Sequence, residues 1–262
     1  MNRLDQTLEQ LRQAGRPGLV CYFTAGDPDF DASLALLREL AGAGADLIEL
    51  GLPFSDPVAD GPVIQAAHLR ARAAGQTAAR TLELAGALRR GDAHTPLVLM
   101  GYLNPVMRYG AERFMTDAAA AGVDGLLLVD LPHEHAAPYR AAARAAGLHL
   151  LGMSAPTTDA ARLARWSRTA SGFLYHVALA GTTGAASCAP ADVARAVAAL
   201  REHCALPVAA GFGIREPEQA RAVAASADLV VIGSRLVELF AAQGHGATLQ
   251  AVREFATAIK PA

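Results

Sequence analysis

Two carboxylates, Glu49 and Asp60, lie in the stretch A-D-L-I-E-L-G-L-P-F-S-D-P-V-A-D-G-P over residues 45–62. Glu49 interrupts an apolar run from Leu47 to Leu50 that has the form of a buried strand. A carboxylate in such a place is costly unless it is paired, hydrogen-bonded or protonated. Asp60 follows a segment holding Gly51, Pro53, Ser55, Pro57 and Ala59, with Gly61 and Pro62 behind it, the composition of a strand ending in a shaped loop. One acid on a strand end and a second on the loop above it meet different surroundings, which can keep one protonated and the other ionised. That is an arrangement for moving protons. The alternative is that Glu49 answers a buried arginine and Asp60 is an ordinary turn or capping acid.

A second constellation is built from glycine. Gly181-Thr182-Thr183-Gly184, Gly211-Phe212-Gly213 and Gly233-Ser234 each follow a short apolar run. Glycines let main-chain N–H groups approach an anion, and a helix N-terminus adds a favourable dipole, so these positions suit a phosphate. The competing reading is tight turns alone. Neither G-x-x-x-x-G-K nor a G-x-G-x-x-G after the first strand is present, which favours a small phosphorylated metabolite over a nucleotide.

Other chemistries find less support. His133-Glu134-His135 is too close in sequence to chelate comfortably and reads as a solvated turn. Tyr175 and His176 are adjacent on a strand, so if the tyrosine points inward the histidine faces the helices. Cys21, Cys188 and Cys204 have no C-x-x-C spacing, indicating neither a disulfide framework nor a thiolate zinc site. All but one of the 23 basic side chains are arginines, and the exception, Lys260, is near the C-terminus. Lysine Schiff-base chemistry, including a lysine-bound pyridoxal phosphate, is therefore not expected in this chain.

The elements that must position these residues follow from hydrophobic periodicity. A helix is expected over 2–14, with Leu4, Leu8 and Leu11 on one face, then a strand over 18–24, a helix over 31–43 and a strand over 46–51. Helices over 62–74 and 77–88 enlarge the connection after the second strand, as befits a functional loop. Strands over 97–102, 125–129, 148–153, 173–178, 207–211 and 229–233 then alternate with helices over 110–121, 134–146, 158–168, 190–204, 216–226 and 236–241. A closing helix spans 248–259. Eight short apolar strands without polar alternation are the mark of a parallel sheet covered on both faces. In 262 residues they favour a (β/α)8 TIM barrel with an added N-terminal helix, expected as a single domain over 1–262. Glu49 and Asp60 then share the C-terminal rim, where such barrels keep their active sites, and this favours the catalytic reading. With 52% apolar and 18% charged residues and a formal net charge of -2, the chain is neither disordered nor a nucleic-acid surface. The absence of a signal peptide's apolar stretch or a membrane-length run points to a cytoplasmic protein.

These motifs carry a family resemblance. The segment from Glu49 to Pro62 looks like the signature of the tryptophan synthase alpha chain, and Thr24-Ala25-Gly26-Asp27-Pro28, Asp130-Leu131-Pro132, Ala155-Pro156-Thr157-Thr158-Asp159 and Gly211-Phe212-Gly213-Ile214 resemble that family in matching order. The resemblance implies a carbon–carbon lyase of tryptophan biosynthesis, cleaving indole-3-glycerol phosphate to indole and glyceraldehyde 3-phosphate. It implies Glu49 as the acid and base, and Asp60 as the group stabilising charge at the ring nitrogen. It places Tyr22, Met100, Leu127, Val129, Met153, Tyr175 and Phe212 around the indole with Thr183 over the loop, and Gly184, Gly213, Gly233 and Ser234 on the phosphate. It implies no cofactor or metal in this chain, and a pyridoxal phosphate-dependent beta chain as partner in an α2β2 complex. Asp56 and the Pro53–Pro57 turn would face that partner. Ala178 and Thr182 depart from residues common among relatives. A stand-alone indole-forming lyase and a noncatalytic partner of the beta chain are the alternatives.

Overall fold

The computed structural model describes residues 2–177, 190–211 and 213–260. Its strands form one parallel sheet in the order β5-β4-β3-β2-β1-β9-β8-β7-β6. From the N-terminus these are β1 Gly18–Thr24, β2 Leu47–Gly51, β3 Leu97–Gly101, β4 Gly125–Leu128, β5 His149–Leu150, β6 Gly152–Ser154, β7 Leu174–His176, β8 Val208–Ala210 and β9 Leu229–Ile232. The two outer members, β5 and β6, are halves of a single run. β5 pairs with β4 and β6 with β7, and between them Leu151 donates its N–H to Leu126 O at 2.9 Å. Nine segments thus fill the eight positions of a barrel, and the expected strand over 148–153 is the piece that closes the ring.

The helices are α1 Arg3–Gln13, α2 Phe30–Ala43, α3 Pro62–Ala73, α4 Ala78–Arg89, α5 Leu103–Tyr109, α6 Ala111–Ala120, α7 Ala137–Ala145, α8 Ala160–Ser167, α9 Pro190–Arg201, α10 Pro217–Ala224 and α11 Ser234–Ile259. Two departures from the sequence reading stand out. A short helix, α5, directly follows β3 where a loop was expected. The expected helices over 236–241 and 248–259 form one element, α11, bent at Gly244, whose φ of 76° takes it out of helical geometry.

Alternation along each strand sorts the apolar residues into two sets. One lies between sheet and helices and includes Ile48, Leu50, Leu99 and Ile232. The other fills the barrel: Val20, Leu47, Val98, Leu127, Phe173, Tyr175, Ala209, Leu229 and Val231. Leu4 and Leu11 of α1 belong to this interior set. The N-terminal helix therefore plugs the barrel floor. A Cβ on Gly18 would lie 2.8 Å from a Leu229 methyl and would also collide with Leu11, so the strand start is kept bare to admit the plug. Asn2 caps α1 through a reciprocal box with Asp5, and its amide nitrogen donates to Asp124 O at 2.9 Å, tying the plug to the sheet.

Candidate active site

On β2 the inward parity is Leu47, Glu49, Gly51, so the rule that buries Leu47 also carries Glu49 into the barrel, where it is 1% exposed. In register, Glu49 lies beside Tyr22 on β1 and Val98 on β3. Gly51 next along carries no side chain because a Cβ there would overlap the Tyr22 hydroxyl. That hydroxyl lies 3.3 Å from Thr24 Oγ1.

Neither carboxyl oxygen of Glu49 has a hydrogen-bond partner among the described residues, so the buried-arginine reading fails. Burial first, and the nearby Asp60 charge second, raise its pKa from 4.5 to about 8. That shift favours the protonated form at neutral pH, and no described residue accepts its proton, surroundings that suit a general acid.

Asp60 sits on the loop between β2 and α3 and is 3% exposed. Its Oδ2 accepts a hydrogen bond from the Tyr102 hydroxyl at 2.7 Å, and His68 Nε2 lies 3.5 Å from the same oxygen. The Tyr102 oxygen in turn accepts from Ala59 N–H at 3.0 Å, and the Tyr102 ring stacks at a tilt on Phe54, centroids 5.2 Å apart. Gln65 closes the loop by donating to Asp60 O at 2.7 Å. Burial, and then the Asp60 charge, push the Tyr102 phenol well above its ordinary pKa, so it remains a donor.

Of the remaining residues singled out in the sequence, the described ones lie on or directly after the barrel strands. Tyr22 and Tyr175 are buried and feel the charges of both Glu49 and Asp60, which after burial itself are the causes of their raised pKa values. Met100 pairs in register with Gly51 and Leu127, and Met153 with Tyr175. Met100, Val129 and Met153 are only partly buried, whereas Leu127 is fully packed in the interior. Val129 and Met153 also line a cavity of about 380 Å³ with Leu131 and Trp166, whose lining includes neither Glu49 nor Asp60. Gly213 follows β8 with φ +67°, and Gly233 ends β9, its neighbour in the sheet. Ser234 opens α11, whose first backbone bonds run from Leu236 and Val237 to Gly233 O, leaving the amides of Ser234 and Arg235 ahead of them without helical acceptors. Thr183, Gly184 and Phe212 lie outside the described residues, as do Ala178, Thr182 and Cys188.

Sequence reasoning passed over Tyr102 and His68. Tyr102 shares the parity of Met100 at the end of β3 and could have been found by counting along the strand. His68 sits in the stripe Ile64, Ala67, His68, Ala71 that α3 buries, where a lone polar residue was the available signal. The histidines the sequence did single out are less involved. Glu134 and His135 are exposed on a single 3₁₀ turn, and His176 faces outward, its Nδ1 3.1 Å from Ser154 Oγ, with a pKa lowered by burial. No group of three or more His, Cys, Asp or Glu side chains able to hold a metal ion occurs among the described residues.

The tryptophan synthase alpha chain family model matches residues 8–262. The chain belongs to the tryptophan synthase alpha chain family. It is 54% identical over 244 residues to the tryptophan synthase alpha chain of Laribacter hongkongensis strain HLHK9, covering 93% of this chain and 92% of that one. Its structure resembles tryptophan synthase subunit alpha of Legionella pneumophila (TM-score 0.92, 37% identity, covering 99% and 98% of the two chains). It also resembles a chain of Mycobacterium tuberculosis tryptophan synthase (TM-score 0.93, 34% identity, 100% and 99% covered). As a tryptophan synthase alpha chain it is a lyase that cleaves indole-3-glycerol phosphate to indole in tryptophan synthesis, and its family implies a beta chain partner.

Proposed function

We propose that Glu49 and Asp60 perform the cleavage as an acid–base pair with divided labour. The bond between the indole ring and the glycerol chain breaks only if its electrons have somewhere to go. Protonated Glu49 supplies the sink by giving its proton to ring carbon C3, which leaves positive charge at the ring nitrogen. Asp60, held by Tyr102, stabilises that charge. The Glu49 carboxylate then takes the proton of the neighbouring glycerol hydroxyl. The oxygen becomes the aldehyde carbonyl of glyceraldehyde 3-phosphate, the carbon–carbon bond breaks, and its electrons restore the aromatic ring. Glu49 ends protonated as it began.

The observation that carries this reading is Glu49 itself, buried inside the barrel with both oxygens unpartnered among the described residues and its pKa raised to about 8. Tyr22, Met100, Val129, Met153 and Tyr175 wall the indole and Leu127 forms the floor; the family resemblance adds Thr183 and Phe212, which lie outside the described residues. Gly213, Gly233 and Ser234 offer main-chain amides to the phosphate, supported by the first-turn amides of α11, which have no acceptor within the helix; the family resemblance adds Gly184.

The chain acts as one barrel domain over 1–262 without a cofactor of its own. It works in the cytoplasm and passes indole to a pyridoxal phosphate-bearing beta chain in an α2β2 complex. The partner surface includes Val58 and Met107, apolar yet 76% and 58% exposed on the segments that follow β2 and β3, beside Asp56 and the Pro53–Pro57 turn. No helix among the described residues is long and apolar enough to cross a membrane.

The test is single-turnover cleavage of indole-3-glycerol phosphate. Glu49→Gln and Asp60→Asn should each lower the rate by roughly 10² or more, the usual worth of a positioned proton-transfer group. Wild-type turnover in either variant would refute the assignment of that acid.

A further inference from the structure

Resting on the reading of Asp60 as the charge-stabilising acid, we infer that His68 is a positioning residue for that carboxylate, acting as a fixed neutral tautomer that staples the Asp60 loop at both ends. The argument begins with the Phe54 amide, whose N–H donates to His68 Nδ1 at 3.1 Å. A donor on that side means that Nδ1 presents its lone pair, so the ring proton must sit on Nε2. Nε2 is the atom that faces Asp60 Oδ2, at 3.5 Å. The imidazole thus accepts from the start of the loop and presents a donor to its end.

The separation to Asp60 is longer than a good hydrogen bond and has room to shorten when charge develops on the substrate, as catalytic contacts commonly do on binding. Tyr102 donates to the same oxygen at 2.7 Å, so two donors converge on Oδ2 and resist rotation of the carboxylate. His68 can serve in this way because it is packed into the core. It is 2% exposed in the buried stripe of α3, between Ile64 and Ala71. Two residues further along the same helix, Arg70 extends the fastening to the neighbouring rim loop, holding Asp27 through paired hydrogen bonds of 2.7 and 2.8 Å. A neutral donor suits the role: it orients Asp60 without a full positive charge, which would oppose the cation that Asp60 is there to stabilise.

The test is a double-mutant cycle on the full-length chain with indole-3-glycerol phosphate as substrate. His68→Asn retains a side-chain acceptor near Phe54 N–H but is too short to reach Asp60. Its kcat should fall about tenfold with KM within about a factor of two, since an interaction realised in the transition state is lost. In an Asp60→Asn background the same substitution should cost less than about twofold, because the group it acts through is gone. His68→Gln, long enough to return an N–H donor to Oδ2, should recover most of the loss. Long-range proton–nitrogen spectra of the wild type should show His68 protonated at Nε2 alone.

A kcat undiminished in His68→Asn, an equal loss in both backgrounds, or a ring protonated at Nδ1 would overturn the inference. Asp60→Asn alone reports separately on the parent reading. If that variant is slow and His68→Asn is not, only the role of His68 fails.

Discussion

Glu49 shows how catalysis and stability oppose each other at one side chain. Its folded-state pKa, about 8, lies above its ordinary value of 4.5. Between those values the folded chain holds a proton that the unfolded chain releases, so the contribution of Glu49 to stability is whole below about pH 4.5 and is lost as pH rises toward 8. Glutamine is close in shape and has no proton to lose. Glu49→Gln should therefore stabilise the fold by on the order of 1–3 kcal/mol at neutral pH, with little gain at about pH 4, while abolishing most activity. Urea unfolding at the two pH values checks this, and a variant less stable than wild type at neutral pH would contradict it. Both acids could be singled out in the sequence, Glu49 because it interrupts an apolar strand and Asp60 because it falls on the loop above that strand's end. Tyr102 and His68 violated nothing loud enough. Their importance comes from touching Asp60 across the fold, a relation that spacing does not encode.

The elements owe their placement to strand parity and to a few positions where bulk is forbidden. The expected helix over 2–14 becomes the barrel's plug through Leu4 and Leu11. Its apolar stripe was visible in the sequence, but the cavity it fills exists only once the strands have closed. Leu4→Ala removes a fully buried side chain and should cost about 2–5 kcal/mol, with cleavage retained at temperatures where the variant stays folded. Thermal unfolding measures the loss, and a cost under about 0.5 kcal/mol would mean that the plug is not seated as described. The strand run over 148–153 read as continuous because apolar residues dominate it, with only His149 and Gly152 between them. It divides at Leu151 since its first half bonds to β4 and its second to β7, a choice made by neighbours remote in sequence. The helix α5 was missed because Leu103–Tyr109 is short and contains Pro105, which normally argues against helix but is tolerated in a first turn.

At the scale of the whole molecule, the barrel gathers at one rim the acids from β2 and its loop, the tyrosines from β1, β3 and β7, and the amides after β8 and β9. Eightfold alternation was legible because each repeat carries its own apolar strand and amphipathic helix, so errors in element ends did not disturb the count. The rim is also where apolar side chains remain exposed, which suits a partner able to receive indole. Met107→Glu places a charge on that surface and should weaken association with the beta chain at least about tenfold, measured by titration calorimetry. Unchanged affinity would move the interface elsewhere. The central claim is that Glu49 stands protonated inside the barrel at neutral pH, ready to protonate a ring. It is tested most directly by infrared difference spectra of wild type against Glu49→Gln across a pH series. The account expects a protonated-carboxyl carbonyl band, absent from the variant, that fades with a midpoint near 8. A carboxylate signal for Glu49 throughout the neutral range would contradict it.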